Sequence, residues 1–139
     1  MDDSRRMNIL LVDDDDIDVM NVQRAFDKGH IANPLFVAHD GEEALALLRG
    51  DAFPKARRLV LLDLNMPRMS GIEFLRILRD DPELHATSVV VLTTSDDERD
   101  KVDAYNLNVA GYLLKPVTLG TFVGVMATLQ KYWQLVEMP

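Results

Sequence analysis

The chain has 139 residues, the length of one ordinary domain and enough to bury a hydrophobic core. Apolar residues make up 47% of it and charged residues 27%, which indicates a soluble globular protein and excludes a disordered or fibrous one. Because there is no cysteine, disulfides, thiolate metal sites and thiol nucleophiles are also excluded. The formal charge of -8 argues against direct binding to nucleic acid or to anionic membranes.

The distribution of polar and apolar residues along the chain predicts its domain boundaries and its location in the cell. No apolar run is long enough to cross a bilayer or to form the core of a signal peptide, so we expect a protein of the cytoplasm. Residues 1–7 are polar and predict a loose tail. Residues 8–132 predict one domain, and residues 133–139 a short C-terminal extension.

Five short apolar runs alternate with five longer amphipathic stretches. The runs lie at residues 9–12, 35–38, 59–62, 89–92 and 111–114, and their nearly continuous hydrophobicity predicts strands covered on both faces. Five β–α units predict a parallel sheet with helices on both faces, because right-handed crossovers permit few other arrangements. In such sheets, ligands bind outside the carboxyl ends of the strands.

The longer stretches carry apolar residues at helical spacing. Gly29 would end the first helix, and Asp40 is placed to cap the second, with Glu43 three residues later. The apolar faces of the first, second, third and fifth helices are predicted to be Val19, Val22 and Phe26; Ala44, Leu47 and Leu48; Ile72, Leu75 and Leu78; and Leu119, Phe122, Val123, Met126 and Leu129. The fourth helix, at about residues 96–105, is polar nearly all round, which is typical of a marginal helix.

Polar side chains follow four of the predicted strands. They are Asp13–Asp16 after the first strand, Asp63 and Asn65 after the third, Thr93, Thr94 and Ser95 after the fourth, and Lys115 after the fifth. Clustered carboxylates repel one another unless a cation joins them, and Mg²⁺ binds carboxylate oxygens. A carboxylate can also act as a nucleophile and become an acyl phosphate. The residues therefore predict a Mg²⁺ site with phosphate chemistry, in which Lys115 and Thr93 would bind phosphoryl oxygens.

Several of these residues also have purely structural explanations. Asp15 and Asp16 stand where the first helix begins, where capping and the helix dipole explain them. Thr93 and Thr94 are equally well placed to cap the fourth helix. Lys115 could be a surface lysine, although a cis bond to the following proline would fix its position. The histidines His30, His39 and His85 lack the spacing of metal ligands and are expected at the surface.

Four segments together resemble the receiver domain of two-component response regulators. They are residues 9–14 (ILLVDD), residues 62–67 (LDLNMP) with Gly71, residues 92–95 (LTTS) and residues 111–116 (GYLLKP), in this order and at matching spacing. The resemblance covers residues 8 to about 132. It implies a flavodoxin-like (βα)5 fold, with a doubly wound five-stranded parallel sheet in the order 2-1-3-4-5.

The resemblance also implies a role for each residue at the strand ends. Asp63 would accept a phosphoryl group from the phosphohistidine of a sensor histidine kinase. The implied Mg²⁺ ligands are Asp13, Asp14, Asp63 and the backbone carbonyl of Asn65. The implied contacts of the phosphoryl group are Lys115, Thr93 and the amide of Thr94. Because four aspartates are consecutive, the choice of Asp13 and Asp14 rests on the strand register, which a bulge would shift by one residue.

The implied activity is signalling and not enzymatic turnover of another substrate. The protein would catalyse only its own phosphorylation and dephosphorylation. On phosphorylation Thr93 would turn inward and Tyr112 would follow, changing the face formed by the fourth helix, the fifth strand and the fifth helix. With no DNA-binding domain in the sequence, the output would be contact with another protein or phosphotransfer to a histidine phosphotransferase.

Residues 33–41, 92–100 and 131–139 are similar to the small stand-alone regulators, some of which partner phytochrome-type photoreceptor kinases. Several such regulators form homodimers through the same face, and the apolar C-terminal tail would extend it. Alternatively, Trp133 and Leu135 cap the end of the core.

Three other functions are compatible with an α/β fold. A phosphatase of the haloacid dehalogenase type would need a second aspartate two residues after the nucleophile, where Asn65 follows Asp63. A flavodoxin-like cofactor-binding domain would need a hydroxyl- or glycine-rich loop after the first strand, where four aspartates would repel a flavin phosphate. A degenerate receiver that no longer accepts phosphate is disfavoured by the complete acidic set and Lys115.

Overall fold

The computed structural model describes residues 6–135, apart from the side chains of residues 133 and 134. Strands and helices alternate strictly in this part of the chain, in the order β1 (Asn8–Val12), α1 (Asp16–Lys28), β2 (Leu35–Ala38), α2 (Gly41–Arg49), β3 (Arg58–Leu62), α3 (Gly71–Asp80), β4 (Ser88–Thr93), α4 (Glu98–Asn106), β5 (Gly111–Leu114) and α5 (Leu119–Leu135). The five strands form one parallel sheet in the order β2-β1-β3-β4-β5. The predicted α/β fold and its strand order are therefore confirmed.

The central strands of the sheet are buried and its edge strands are not. Every residue of β3 is buried, and β1 and β4 are buried except for their first residues. β2 and β5 are mostly half-exposed. Their side chains still pack on both faces of the sheet, since Phe36 and Tyr112 contact the core on one face and Leu35, Val37 and Leu113 contact the core on the other. The two edge strands are therefore covered on both faces as predicted, but less completely than the central strands.

Two hydrophobic cores lie on opposite faces of the sheet, because successive residues of a strand point to opposite faces. The first includes Leu10, Val60 and Val91 of the strands with Ala44, Leu45 and Leu48 of α2 and Phe74, Leu75 and Leu78 of α3. The second includes Ile9, Leu61 and Val90 with Val19, Val22 and Phe26 of α1 and Phe122 and Met126 of α5. The predicted face of α1 is confirmed, whereas Leu47 and Ile72 only pack against the first core from its margin.

The helices begin as their capping residues predict. Asp15 is the N-cap of α1, and its side chain accepts hydrogen bonds from the amides of Ile17 and Asp18. Asp40 caps α2 and accepts a hydrogen bond from the amide of Glu43. α4 buries Ala104 alone, in keeping with its polar sequence. These caps set where each helix starts relative to the strand before it.

The two ends of the described chain bear on the expected boundaries. Met7, in the segment expected to be a tail, is fully buried, and its amide donates a hydrogen bond to the side chain of Gln130. α5 continues past residue 132 as far as Leu135, whose side chain is exposed. The side chain of Trp133 lies outside the described residues, so the choice between a cap and a dimer surface stays a prediction. None of the described helices has the length and apolarity that a membrane span requires.

Candidate functional site

Three carboxylates meet at the carboxyl ends of β1 and β3. Asp13 and Asp14 follow β1 and Asp63 follows β3, and one oxygen of each lies within 4.8 Å of the others. They converge because Val12 and Leu62 are partners in the parallel register, which makes the next residue of each strand a neighbour. Asp13 and Asp63 are buried, while Asp14 is exposed.

The first two of the four consecutive aspartates lie in the cluster, as counting from the end of β1 predicts. Asp13 and Asp14 lie in the carboxylate cluster with Asp63. Asp15 serves as the N-cap of α1, and Asp16 is the first residue of that helix, with a side chain that is 87% exposed. The structural explanation of Asp15 is therefore confirmed.

Lys115 reaches the cluster from the end of β5. Its Nζ lies 2.6 Å from Asp13 Oδ2, 2.7 Å from Asp18 Oδ2 and 3.7 Å from Asp63 Oδ2. The peptide bond to Pro116 is cis. Burial lowers the pKa of Lys115, but its hydrogen bonds to Asp13 and Asp18, together with the negative charges of Asp63 and Asp13, raise that pKa above its ordinary value. Lys115 is therefore a fixed cation of the site and not a surface lysine.

The donor atoms of the cluster fit a hard divalent cation. Burial raises the pKa of the Asp13 carboxyl above its ordinary value, because the hydrogen bond from Lys115 offsets only part of the cost and Asp63 adds like charge. A cation bound to the cluster would offset this cost. All three side chains offer oxygen, which Mg²⁺ and Mn²⁺ prefer, and none offers nitrogen or sulfur.

Thr93 links the end of β4 to Asp63. Its buried hydroxyl donates a hydrogen bond of 2.9 Å to Asp63 Oδ1 and accepts one of 3.3 Å from the amide of Ser95. The N-cap of α4 is Asp97, so the alternative in which Thr93 or Thr94 caps that helix is wrong. The hydroxyl of Thr94 instead accepts a hydrogen bond from the side chain of Asn65.

A chain of hydrogen bonds continues from Thr93 towards α4 and β5. The carbonyl of Ser95 accepts a hydrogen bond of 2.8 Å from the hydroxyl of Tyr112, and the Ser95 hydroxyl donates one of 2.6 Å to Asp100 in α4. Tyr112 is half-exposed. Any movement of Thr93 can therefore be transmitted through Ser95 to the helix and to the edge strand.

One residue of the site was not anticipated from the sequence. Asp18, in the first turn of α1, contacts Lys115 as closely as Asp13 does. Its place in the acidic first turn of α1 has a local explanation in the helix dipole, and no local spacing links it to a lysine 97 residues away. By contrast, His30, His39 and His85 are exposed, as predicted.

Comparison with known proteins identifies the family of this chain. The family model of the response regulator receiver domain matches residues 9–127. The chain belongs to the response regulator receiver family. Response regulator Rcp1 of Synechocystis sp. is 36% identical to this receiver over 135 residues, which cover 94% of the chain and 92% of Rcp1.

Two solved structures of receivers are also similar. One is the phosphorylated cyanobacterial phytochrome response regulator RcpA, with 33% identity, a TM-score of 0.76 and coverage of 96% of this chain and 99% of that one. The other is the Mn²⁺-bound form of Rcp1, with 34% identity, a TM-score of 0.74 and the same coverage. Membership of the receiver family rules out the phosphatase and flavodoxin-like alternatives.

Proposed function

We propose that this receiver accepts a phosphoryl group on Asp63 from a histidine kinase in a Mg²⁺-dependent reaction. The observation that carries the proposal is the convergence of the Asp63 carboxylate with the Lys115 ammonium, the Thr93 hydroxyl and an acidic pair at one edge of the sheet. Phosphoryl transfer needs a positioned nucleophile and positive charge for the phosphoryl oxygens, and this arrangement supplies both.

The two oxygens of Asp63 have different surroundings. Oδ1 accepts hydrogen bonds from the hydroxyl of Thr93 and the amide of Asn65. Oδ2 accepts no hydrogen bond from any described residue and lies 3.7 Å from Lys115 Nζ. We therefore assign Oδ2 as the nucleophile, because its lone pairs are available.

In the proposed reaction, Oδ2 of Asp63 forms a bond to the phosphorus of phosphohistidine while the P–N bond breaks. The electron pair of that bond stays on the ring nitrogen, and the histidine leaves as neutral imidazole when its other nitrogen carries a proton. Lys115 and the amide of Thr94 would bind the transferred phosphoryl oxygens. Asp13, Asp14, Asp63 and the Asn65 carbonyl would hold Mg²⁺, which when bound neutralises charge on those oxygens.

The test of the function is intact-mass analysis of the full chain after incubation with a small phosphodonor such as phosphoramidate, with and without Mg²⁺. We expect a single phosphoryl adduct that depends on Mg²⁺. If no adduct forms even when the analysis is fast enough to outpace hydrolysis, the protein is a degenerate receiver and the proposal is wrong.

Mg²⁺ is expected to raise the melting temperature of the protein, because an ion that binds only the folded state stabilises it by about 2.7 kcal/mol at 100 times its dissociation constant. Asp13→Asn should lose most of this increase. Because burial raises the pKa of Asp13, its charged form destabilises the fold, and the metal-free variant should be more stable than wild type at neutral pH. Circular dichroism melts with and without MgCl₂ measure both effects. Asp51→Asn removes a fully exposed carboxylate and should behave as wild type, and an undiminished Mg²⁺ effect in Asp13→Asn would contradict the assignment.

Thr93→Ala is expected to accept phosphate within about tenfold of the wild-type rate but to lose the response of Ser95, Tyr112 and α4. The alanine removes the hydroxyl through which Asp63 contacts Ser95. Amide NMR spectra recorded with and without phosphodonor measure this response. Thr93→Ser keeps the hydroxyl and is the matched control. Equal phosphate-dependent shifts in the alanine and serine variants would disprove the switch role.

For the partner we propose a phytochrome-type sensor histidine kinase, supported by the similarity to Rcp1 and to RcpA. For the output we propose contact with a downstream protein, phosphotransfer to a histidine phosphotransferase, or homodimer formation through the face of α4, β5 and α5. That face exposes Val102, Tyr105, Leu114 and Leu119, which supports a protein contact. We also propose that the protein acts in the cytoplasm as a stand-alone regulator and does not catalyse reactions of other substrates.

A further inference from the structure

The ammonium of Lys115 is held between two carboxylates, and only one of them belongs to the acidic cluster. An ammonium has three hydrogens to donate, and the two short contacts are with Asp13 and Asp18. Asp63 Oδ2, at 3.7 Å, is beyond hydrogen-bond distance. Asp18 is not one of the three carboxylates that could hold a cation. The Asp18 side chain therefore contacts Lys115, but the proposed function gives it no role as a metal ligand or a nucleophile.

We propose that Asp18 is a positioning residue for phosphoryl transfer, which holds the Lys115 ammonium beside Asp63 without letting it bond to the attacking oxygen. The inference rests on the proposed function. Lysine has a long, flexible side chain, and without this anchor its ammonium would be drawn to the free Oδ2 of Asp63. A hydrogen bond there would occupy the lone pairs that must attack phosphorus. In its present place the ammonium leaves Oδ2 free and stays close enough to meet a phosphoryl oxygen.

Asp13 cannot hold Lys115 in this way by itself. Asp13 is a candidate metal ligand, and its Oδ1 already accepts a hydrogen bond from the amide of Asp15. A carboxylate shared with a cation attracts an ammonium less strongly, because its charge is partly neutralised. The side chain of Asp18 has Lys115 as its one hydrogen-bond partner among the described residues. Asp18 is therefore available as an anchor whether or not Asp13 binds a metal.

The backbone of Asp18 is well fixed. Its amide donates to the N-cap Asp15, and the next residue, Val19, is buried in the core below α1. Asp18 itself is partly buried, with 30% of its side chain exposed. A short side chain on a fixed helical turn holds its partner more precisely than one on a loop.

The experiment compares Asp18→Ala with Asp16→Ala in the full chain. Asp16→Ala is a matched control, because it removes the same charge two residues earlier in α1, from a side chain that is 87% exposed. The readout is the initial rate of phosphorylation by phosphoramidate at saturating Mg²⁺. We expect a loss of about tenfold for Asp18→Ala, the size of effect typical of one hydrogen bond to a charged group, and a change within about twofold for Asp16→Ala.

Two further measurements separate positioning from a general structural role. In a Lys115→Ala background, Asp18→Ala should cause no additional loss, because a residue that acts through Lys115 has no effect without it. In a crystal structure of resting Asp18→Ala, Lys115 Nζ should lie within hydrogen-bond distance of Asp63 Oδ2, below about 3.2 Å, whereas Asp16→Ala should keep the 3.7 Å separation. Melting curves of the variants confirm that they are folded.

The outcomes distinguish this inference from the function on which it rests. If wild type is phosphorylated but Asp18→Ala reacts as fast as Asp16→Ala or faster, the positioning role is wrong and the function stands. A tenfold loss that persists in Lys115→Ala would also overturn the positioning role, because the effect would not pass through the ammonium. If wild type accepts no phosphoryl group, the proposed function fails and the inference fails with it.

Discussion

Asp63→Asn is expected to reduce phosphorylation below about 1% of the wild-type rate, because an amide is not a nucleophile towards phosphorus. The variant should fold normally. Asparagine has nearly the same shape, and its oxygen can still accept the hydrogen bonds that Oδ1 accepts from Thr93 and Asn65. The substitution also removes a negative charge that lies next to Asp13, so the melting temperature should stay equal or rise.

Intact-mass analysis after incubation with phosphoramidate and Mg²⁺ measures this effect directly. Asp51→Asn is the matched control, because it makes the same chemical change at a fully exposed position after α2. The control should carry the adduct to the same extent as wild type. An adduct of normal yield on Asp63→Asn would move the phosphoacceptor to another residue and would remove the basis for the assigned roles of Lys115 and Thr93.

Gly71→Ala is expected to destabilise the protein by about 2 kcal/mol or more, the cost of overpacking a tightly packed position. A Cβ atom at Gly71 would lie 2.6 Å from both the carbonyl oxygen of Asp63 and the Cα of Leu64. Both are backbone atoms of the segment that carries the phosphoacceptor, so they cannot rotate away as a side chain could. The glycine amide also donates a hydrogen bond to the Leu64 carbonyl, which holds the start of α3 against this segment.

Chemical denaturation in urea measures the change in the free energy of unfolding. Gly124→Ala in the middle of α5 provides the control, because a Cβ there would meet no atom of the described residues within 4 Å beyond its chain neighbours and the backbone of its own helix. That substitution should stabilise the protein by up to about 1 kcal/mol through helix propensity. The phosphorylation rate of Gly71→Ala should fall as well, since the shifted segment bears Asp63. Equal stability of the two variants would show that α3 can move away without cost.

Much of the fold could be predicted because its signals are local. A four- to six-residue apolar run is sufficient to identify a buried strand, and each of the five runs became one within one or two residues. Capping by Asp15 and Asp40 likewise needs only the next two or three residues. The exposure of β2 and β5 could not be predicted in this way, because it depends on which strands lie at the edges of the sheet.

The chemical character of the site was also readable from the chain. Residues at the carboxyl ends of parallel strands share one edge of the sheet, so Asp13, Asp63, Thr93 and Lys115 could be brought together before any distance was known. The capping alternative for the threonines could not be dismissed in the same way, because the exact start of α4 decides it. The helix starts at Glu98, and its N-cap is Asp97, four residues beyond Thr93.

The sequence by itself determined the alternation of strands and helices, the acidic and basic residues at the strand ends, and the family to which they belong. These properties depend on residue type and spacing along the chain. Only the tertiary structure decided how the charges are paired. Asp18 is 97 residues from Lys115, and their 2.7 Å contact exists because α1 and the end of β5 pack at the same edge of the sheet. A contact between residues so distant in sequence is set by the packing of whole elements, which no local pattern records.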